Sequence, residues 1–212
     1  MWAPTRPGAD GAVTSVAEQA EALRGALAAE GVTRFVCVGS SFGAIVCLEL
    51  ARLTPLAVRG AVLIEPPMSV SDSVPAVPDG FGCRFDAMAA TRGGEAAAEM
   101  FLRLVLGEGV FERIPAAFRA RSVASWKHIR ADSVALARYR PRYPALREVQ
   151  TPMLLVGGEK SPPVYGDILA ALAAVLPRSR RETVPRAGHM LHAEAPRVFG
   201  RLLLDFVADL PA

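Results

Sequence analysis

Cysteine is scarce in this chain. Three in 212 residues are too few for a disulfide framework. Cys37 falls in a short apolar run and Cys47 in the helix-like stretch behind it, so both are expected as small core residues in a reducing compartment. No uninterrupted apolar run approaches the ~20 residues that a membrane-spanning helix needs, and the chain opens with no secretory signal pattern. The expectation is a cytoplasmic protein with no membrane partner. Charge is nearly balanced, with 24 basic against 21 acidic residues and a net +3. The basic clusters at Arg138-Tyr139-Arg140-Pro141-Arg142 and at 178–181 are local. No aromatic-interleaved stripe, zinc spacing or RNA-binding signature accompanies them, so they read as solvated surface, and nucleic acid is not expected as a partner. There is no internal repeat.

Apolar residues are plentiful, at 51% of the chain, enough for one sizeable core. Ser15-Val16-Ala17-Glu18 is a capping box, and Val16, Ala20, Leu23 and Leu27 follow at helical spacing until Gly31. Short apolar runs at 34–38, 60–64 and 152–156, with a weaker one at 182–184, read as strands. Helical patterns separate them: 44–53 after the first, one bearing Ile168, Leu169, Leu172, Val175 and Leu176, and a last one opened by Pro196 with Phe199, Leu203, Phe206 and Leu210 inward. Strands alternating with helices imply an α/β fold with a parallel sheet covered on both faces. Residues 68–82 are rich in Pro, Ser and Gly. A helical region follows from about 84 to 138, broken by Gly107, Gly109 and Pro115.

Gly39-Ser40-Ser41-Phe42-Gly43 fits the pattern GxSxG and sits where the first strand gives way to a helix. A turn that tight needs small flanking residues, so Gly39 and Gly43 are expected to let strand and helix backbones approach while Ser41 Oγ projects above the sheet. The helix N-terminus beneath favours developing negative charge. A serine hydroxyl is a poor nucleophile alone. It needs a base within hydrogen-bond reach, and the base needs a third group to fix its tautomer. Of three histidines, His189 follows a short strand and a glycine late in the chain, which puts it at the sheet edge towards which Ser41 points. His128 and His192 are left as structural. His189 with His192 lacks a third ligand for a metal site, and no metal or cofactor is expected.

These features together resemble the α/β-hydrolase superfamily over nearly everything from Ser15 to Leu210: elbow, following strand, helical insertion, late strand with its turn, and Ala187-Gly188-His189 before a helix beginning Glu194-Ala195-Pro196. The resemblance implies a three-layer fold with a core from 1–67 and 149–212 and a helical lid at 68–148. It implies hydrolysis of an ester-type bond, with Ser41 as nucleophile, His189 as general base and then acid, and the Phe42 backbone N–H as one oxyanion donor.

Two departures from the superfamily pattern matter. Its usual Asp lies in a Gly-x-x-Asp turn after the strand at 152–156, and here that turn is Gly158-Glu159-Lys160-Ser161. Some relatives carry a Glu one strand earlier instead. Glu65 occupies that place, 24 residues after Ser41, and is favoured over Glu159 as the acid; a cap beside Pro66 is its structural alternative. Ser41 in place of Asp argues against dehalogenase or epoxide hydrolase chemistry. The second departure is upstream, where only 40 residues precede Ser41. Trp2 to Gly8 resembles the end of a strand that normally precedes the first helix, so the sheet's first half and the loop carrying the second oxyanion donor are expected to be absent. The strand at 34–38 is then an edge, a candidate contact for a second copy of the chain. The expected function is a serine hydrolase acting on a small to medium apolar ester, lactone or thioester. The alternative is a weakly active or inactive small-molecule-binding relative.

Overall fold

The computed structural model describes residues 12–72, 77, 80–140 and 142–211, and the stretch Trp2 to Gly8 lies outside them. Four strands, β1 (Phe35–Ser40), β2 (Val58–Ile64), β3 (Met153–Gly158) and β4 (Ser179–Val184), form one parallel sheet in that order. Parallel neighbours need a crossover on each connection, and helices supply it. They are α1 (Val16–Ala29), which leads into β1, and α2 (Phe42–Leu53) between β1 and β2. Between β2 and β3 run α3 (Phe81–Arg92), α4 (Gly94–Leu106), α5 (Glu108–Arg113), α6 (Ala116–Ala124), α7 (Trp126–Arg138) and α8 (Tyr143–Leu146). The chain closes with α9 (Pro163–Val175) between β3 and β4, then α10 (Leu191–Glu194) and α11 (Pro196–Ala208).

The strands' period of two sorts the core into two layers. Ala61 and Leu63 of β2, with Met153 and Leu155 of β3, pack against α2 and α9 through Ile45, Leu48, Ile168 and Leu172. The alternate residues Val62, Ile64, Leu154 and Val156 meet Phe206 and Leu210 from the α11 side, with Phe199 and Leu203 partly buried against them. Both faces of the middle strands are therefore covered, which is why they read as continuous apolar runs. β4 differs. Arg180, Arg181 and Glu182 lie within it, and its partly exposed pattern hid its first residues from the expected 182–184. β1 pairs only with β2 among the described residues, and Val38 is 42% exposed along it.

The helical stretch between β2 and β3 departs from the expected breaks. Gly109 lies inside α5, whereas Gly93, not anticipated as a break, separates α3 from α4 with φ 91°. Gly94 beside it is required for another reason: a Cβ there would stand 2.2 Å from the Trp126 ring of α7. Entry and exit of the stretch are tied together, because Tyr143 donates its hydroxyl to the Ser69 carbonyl and its backbone N–H to Asp72 at 2.8 Å. Tyr139 at the end of α7 also donates to the buried Glu49 carboxylate of α2 at 3.1 Å.

Candidate active site

Three successive strands extend their hydrogen bonding one residue past their ends. Ser41 N–H donates to Ile64 O (2.8 Å), Glu65 N–H to Val156 O (3.1 Å) and Glu159 N–H to Val184 O (3.0 Å). This register brings Ser41, Glu65 and the turn after β3 to the same carboxyl edge, where ligands of parallel sheets bind.

Ser41 carries φ 53° and ψ −125° at the β1–α2 junction. An L-residue held there costs on the order of 1–3 kcal/mol and persists only where its surroundings fix it. Gly39 is one such constraint, since a Cβ on it would come within 2.2 Å of the Gly43 carbonyl oxygen. Gly43 itself differs from expectation: a Cβ there meets nothing within 4 Å, so only Gly39 is needed for the close approach. Ser41 is the N-cap of α2, yet its side chain caps no N–H, and Phe42 is the first residue of that helix.

Glu65 is fully buried and has φ 42°. Its Oε2 lies 2.6 Å from His189 Nδ1, and its Oε1 accepts the Gly158 N–H at 2.6 Å. Both carboxylate oxygens therefore have partners, as a buried acid requires. Gly158 also fits against the loop bearing His189: a Cβ on it would meet Ala187 O at 2.5 Å and Gly188 O at 2.6 Å. His189 is 6% exposed, and its ring is stacked by Tyr165 of α9, with centroids 4.7 Å apart and planes at 21°. Burial, then the Glu65 charge, push the Tyr165 phenol up to about 12.

Glu159 is not near this pair. Its Oε2 accepts the Arg186 N–H at 2.6 Å on the exposed side of the turn. Ser161, in the position where the superfamily's Asp is usual, has a buried hydroxyl with no hydrogen-bond partner. His192 lies in α10 with its Nδ1 buried and unpartnered. Burial, then the His189 charge, depress its pKa, against a smaller opposite pull from Glu194. His128 is in α7. Among the described residues no cluster of three or more His, Cys, Asp and Glu could hold a metal, and no helix is long and apolar enough to cross a membrane.

Ser41 and Phe42 open onto a cavity of about 950 Å³, at the upper end of the size range of small-molecule sites. α1 contributes Gln19 and Leu23, α3 and α4 contribute Phe81, Arg84 and Phe101, α7 contributes Ile129 and Leu136, and α9 contributes Tyr165 and Ile168. His189 stands behind Tyr165 rather than in the lining, and no hydrogen bond joins it to Ser41. The sequence reading missed Tyr165 and the Gly158 N–H. Tyr165 belongs to no motif, Gly158 is only the first residue of the turn that stands for Gly-x-x-Asp, and the fold brings both to the pair.

A parallel sheet with a strained serine turn after β1, and a buried Glu–His pair drawn from the segments that follow β2 and β4, defines an α/β-hydrolase fold. The chain belongs to the alpha/beta hydrolase family, whose model matches residues 1–202. Over 202 residues it is 28% identical to a Klebsiella pneumoniae (strain 342) protein that bears the provisional name carbamate hydrolase RutD, covering 92% of this chain and 74% of that one. A 65-residue stretch is 37% identical to a Bacillus subtilis (strain 168) protein provisionally named 2-succinyl-6-hydroxy-2,4-cyclohexadiene-1-carboxylate synthase. That match covers 31% of this chain and spans only 23% of the relative's length. Among solved structures, the enol-lactonase from Burkholderia xenovorans LB400 superposes with a TM-score of 0.77 at 18% identity, over 98% of this chain and 76% of that one, a likeness of fold.

Proposed function

We propose that this chain is a serine hydrolase that cleaves an ester-type acyl bond, in an ester, lactone or thioester of a small to medium apolar molecule, through Ser41, His189 and Glu65. The observation that carries the reading is the Glu65–His189 contact at 2.6 Å between two buried groups, on the sheet edge where Ser41 occupies its strained turn. Ser41 Oγ attacks the substrate carbonyl carbon as His189 Nε2 takes its proton. Glu65 accepts the Nδ1–H and stabilises the imidazolium that forms. The Phe42 N–H at the α2 N-terminus donates to the developing oxyanion. His189 returns the proton to the leaving oxygen or sulfur as the tetrahedral intermediate collapses to an acyl-Ser41. A water, deprotonated by His189, then releases the acid. Residues 68–148 act as a lid whose α3, α4 and α7 side chains shape the apolar part of the cavity, and the relatives named as hydrolase and lactonase support acyl chemistry.

The test is labelling with a fluorophosphonate, located by peptide mass spectrometry. Ser41 should label. Ser41→Ala and His189→Ala should each lower ester turnover by about 10⁴-fold or more while thermal unfolding stays cooperative. Turnover that survives Ser41→Ala ends the hydrolase reading. A second reading, a binding protein with weak or no turnover, is favoured by one feature: His189 is covered by Tyr165 and makes no hydrogen bond to Ser41. Apo sites are often looser than their reacting complexes, so this does not by itself outweigh the first.

A further inference from the structure

Tyr165 is the third residue of α9, 92% out of solvent by its 8% exposure, and it lines the Ser41 cavity. One face of its ring covers the His189 imidazole in a near-parallel stack. Its hydroxyl makes no hydrogen bond to any described residue. A buried phenol normally finds a partner for its O–H, and one that faces a cavity without a protein partner is left to bind whatever enters. Gln19 of α1 shares the burial, at 6% exposure, the place in the lining and the lack of a side-chain partner. Nothing ties Gln19 to the reacting groups, whereas Tyr165 is held against His189 itself. A phenol is rigid, so the stacked ring fixes where its oxygen stands.

We propose that Tyr165 orients the His189 imidazole by stacking on it and donates its phenol O–H to a substrate oxygen in the Ser41 cavity. The proposal rests on the hydrolase reading and adds a donor that the motifs do not supply. Glu65 holds the imidazole at one nitrogen, and that contact alone does not fix the tilt of the ring plane. A flat ring 4.7 Å from it removes that freedom and keeps Nε2 pointed in one direction. The phenol remains protonated, and so a donor, across the range in which a histidine base works, because burial and the Glu65 charge both raise its pKa.

The experiment compares Tyr165→Phe and Tyr165→Leu with the wild type in the full chain. It follows p-nitrophenyl butyrate hydrolysis across pH, the rate of fluorophosphonate labelling at Ser41, and the His189 ring-proton resonance by NMR. Tyr165→Phe keeps the stack, so the resonance and the acid limb of kcat/KM should stay where they are while kcat/KM falls about tenfold, the loss of one hydrogen bond. Tyr165→Leu should also move the resonance downfield, displace the acid limb and slow labelling by a further tenfold or so. Wild-type kcat/KM in Tyr165→Phe overturns the substrate contact. An unmoved resonance, or labelling as fast as or faster than wild type in Tyr165→Leu, overturns the positioning role and makes the ring a cover over His189. Tyr165→Phe alone decides the hydroxyl's part if the leucine variant fails to fold. A wild type that neither labels nor turns over ends the hydrolase reading and the substrate contact with it. The stacking claim is still decided by the resonance, which needs no turnover.

Discussion

The Glu65 carboxylate and the His189 imidazole meet at 2.6 Å across 124 residues of sequence. Neither group is on the surface, and the second carboxylate oxygen is held by the Gly158 N–H. A carboxylate anchored this way can fix an imidazole tautomer, whereas the exposed Glu159 is turned towards Arg186.

Glu65→Gln should therefore lower ester turnover by about 10³- to 10⁴-fold, through loss of the correct tautomer. Glu159→Gln should leave turnover near wild type. Steady-state kinetics on the two variants decides the matter, and a larger loss from Glu159→Gln would reverse the assignment.

The two glycines of the elbow should behave differently. Gly39→Ala forces a methyl to 2.2 Å from the Gly43 carbonyl oxygen and should cost on the order of 3 kcal/mol or more, since backbone cannot move aside as a side chain can. Gly43→Ala meets open space and, within a helix, should stabilise by up to about 1 kcal/mol. Chemical denaturation of both measures this; equal destabilisation would show that the crowding at Gly39 is not what sets the turn.

His192 should make the fold sensitive to acid. Its folded pKa lies below its ordinary 6.5 because of burial and the His189 charge. Between those two values the unfolded chain holds a proton that the folded one does not, so stability present above about pH 6.5 is lost as pH falls towards the folded value. Melting temperatures from pH 8 to 5 should drop more steeply for wild type than for His192→Gln. Parallel curves would remove His192 from the account.

One thiol should react with Ellman's reagent in the native protein. Cys83 is exposed while Cys37 and Cys47 are buried, and the Cys37 thiol is raised by its hydrogen bond to Cys47 and then by burial. Cys83→Ser should abolish the fast phase. A second fast thiol would mean that the layer between β1 and α2 opens readily.

Among the described residues β1 has β2 as its single neighbour, and a free edge there predicts self-association that grows with concentration, read by light scattering after size exclusion. A monomer at every concentration would show that this edge is already protected.

The α/β class, the serine turn and the late histidine were legible because each depends on short-range pattern. Short apolar runs, period 3.6 and a glycine beside a serine are visible within a dozen residues. Legibility failed where local signals conflict with their surroundings. Gly109 carries a helix-breaker's propensity but is absorbed by α5, while Gly93 breaks the helix by adopting φ 91°. The polar residues of β4 concealed the first half of a strand, expected at 182–184, whose ladder to β3 runs from Ser179 to Val184.

The sequence by itself determined the alternation of strands and helices, a sheet covered on both faces and the candidates Ser41 and His189, which follow from residue type and spacing, while Glu65 entered through the resemblance to relatives with a Glu at that place. Only the tertiary structure decided which carboxylate meets His189, that Gly39 rather than Gly43 closes the elbow, and that Tyr165 lies on the imidazole. The meeting of Glu65 with His189 is set by the parallel register of β1 to β4, and that of Tyr165 with His189 by the packing of α9 beside the loop after β4. The Glu65–His189 contact, 124 residues apart, depends on geometry that no local window of the chain encodes.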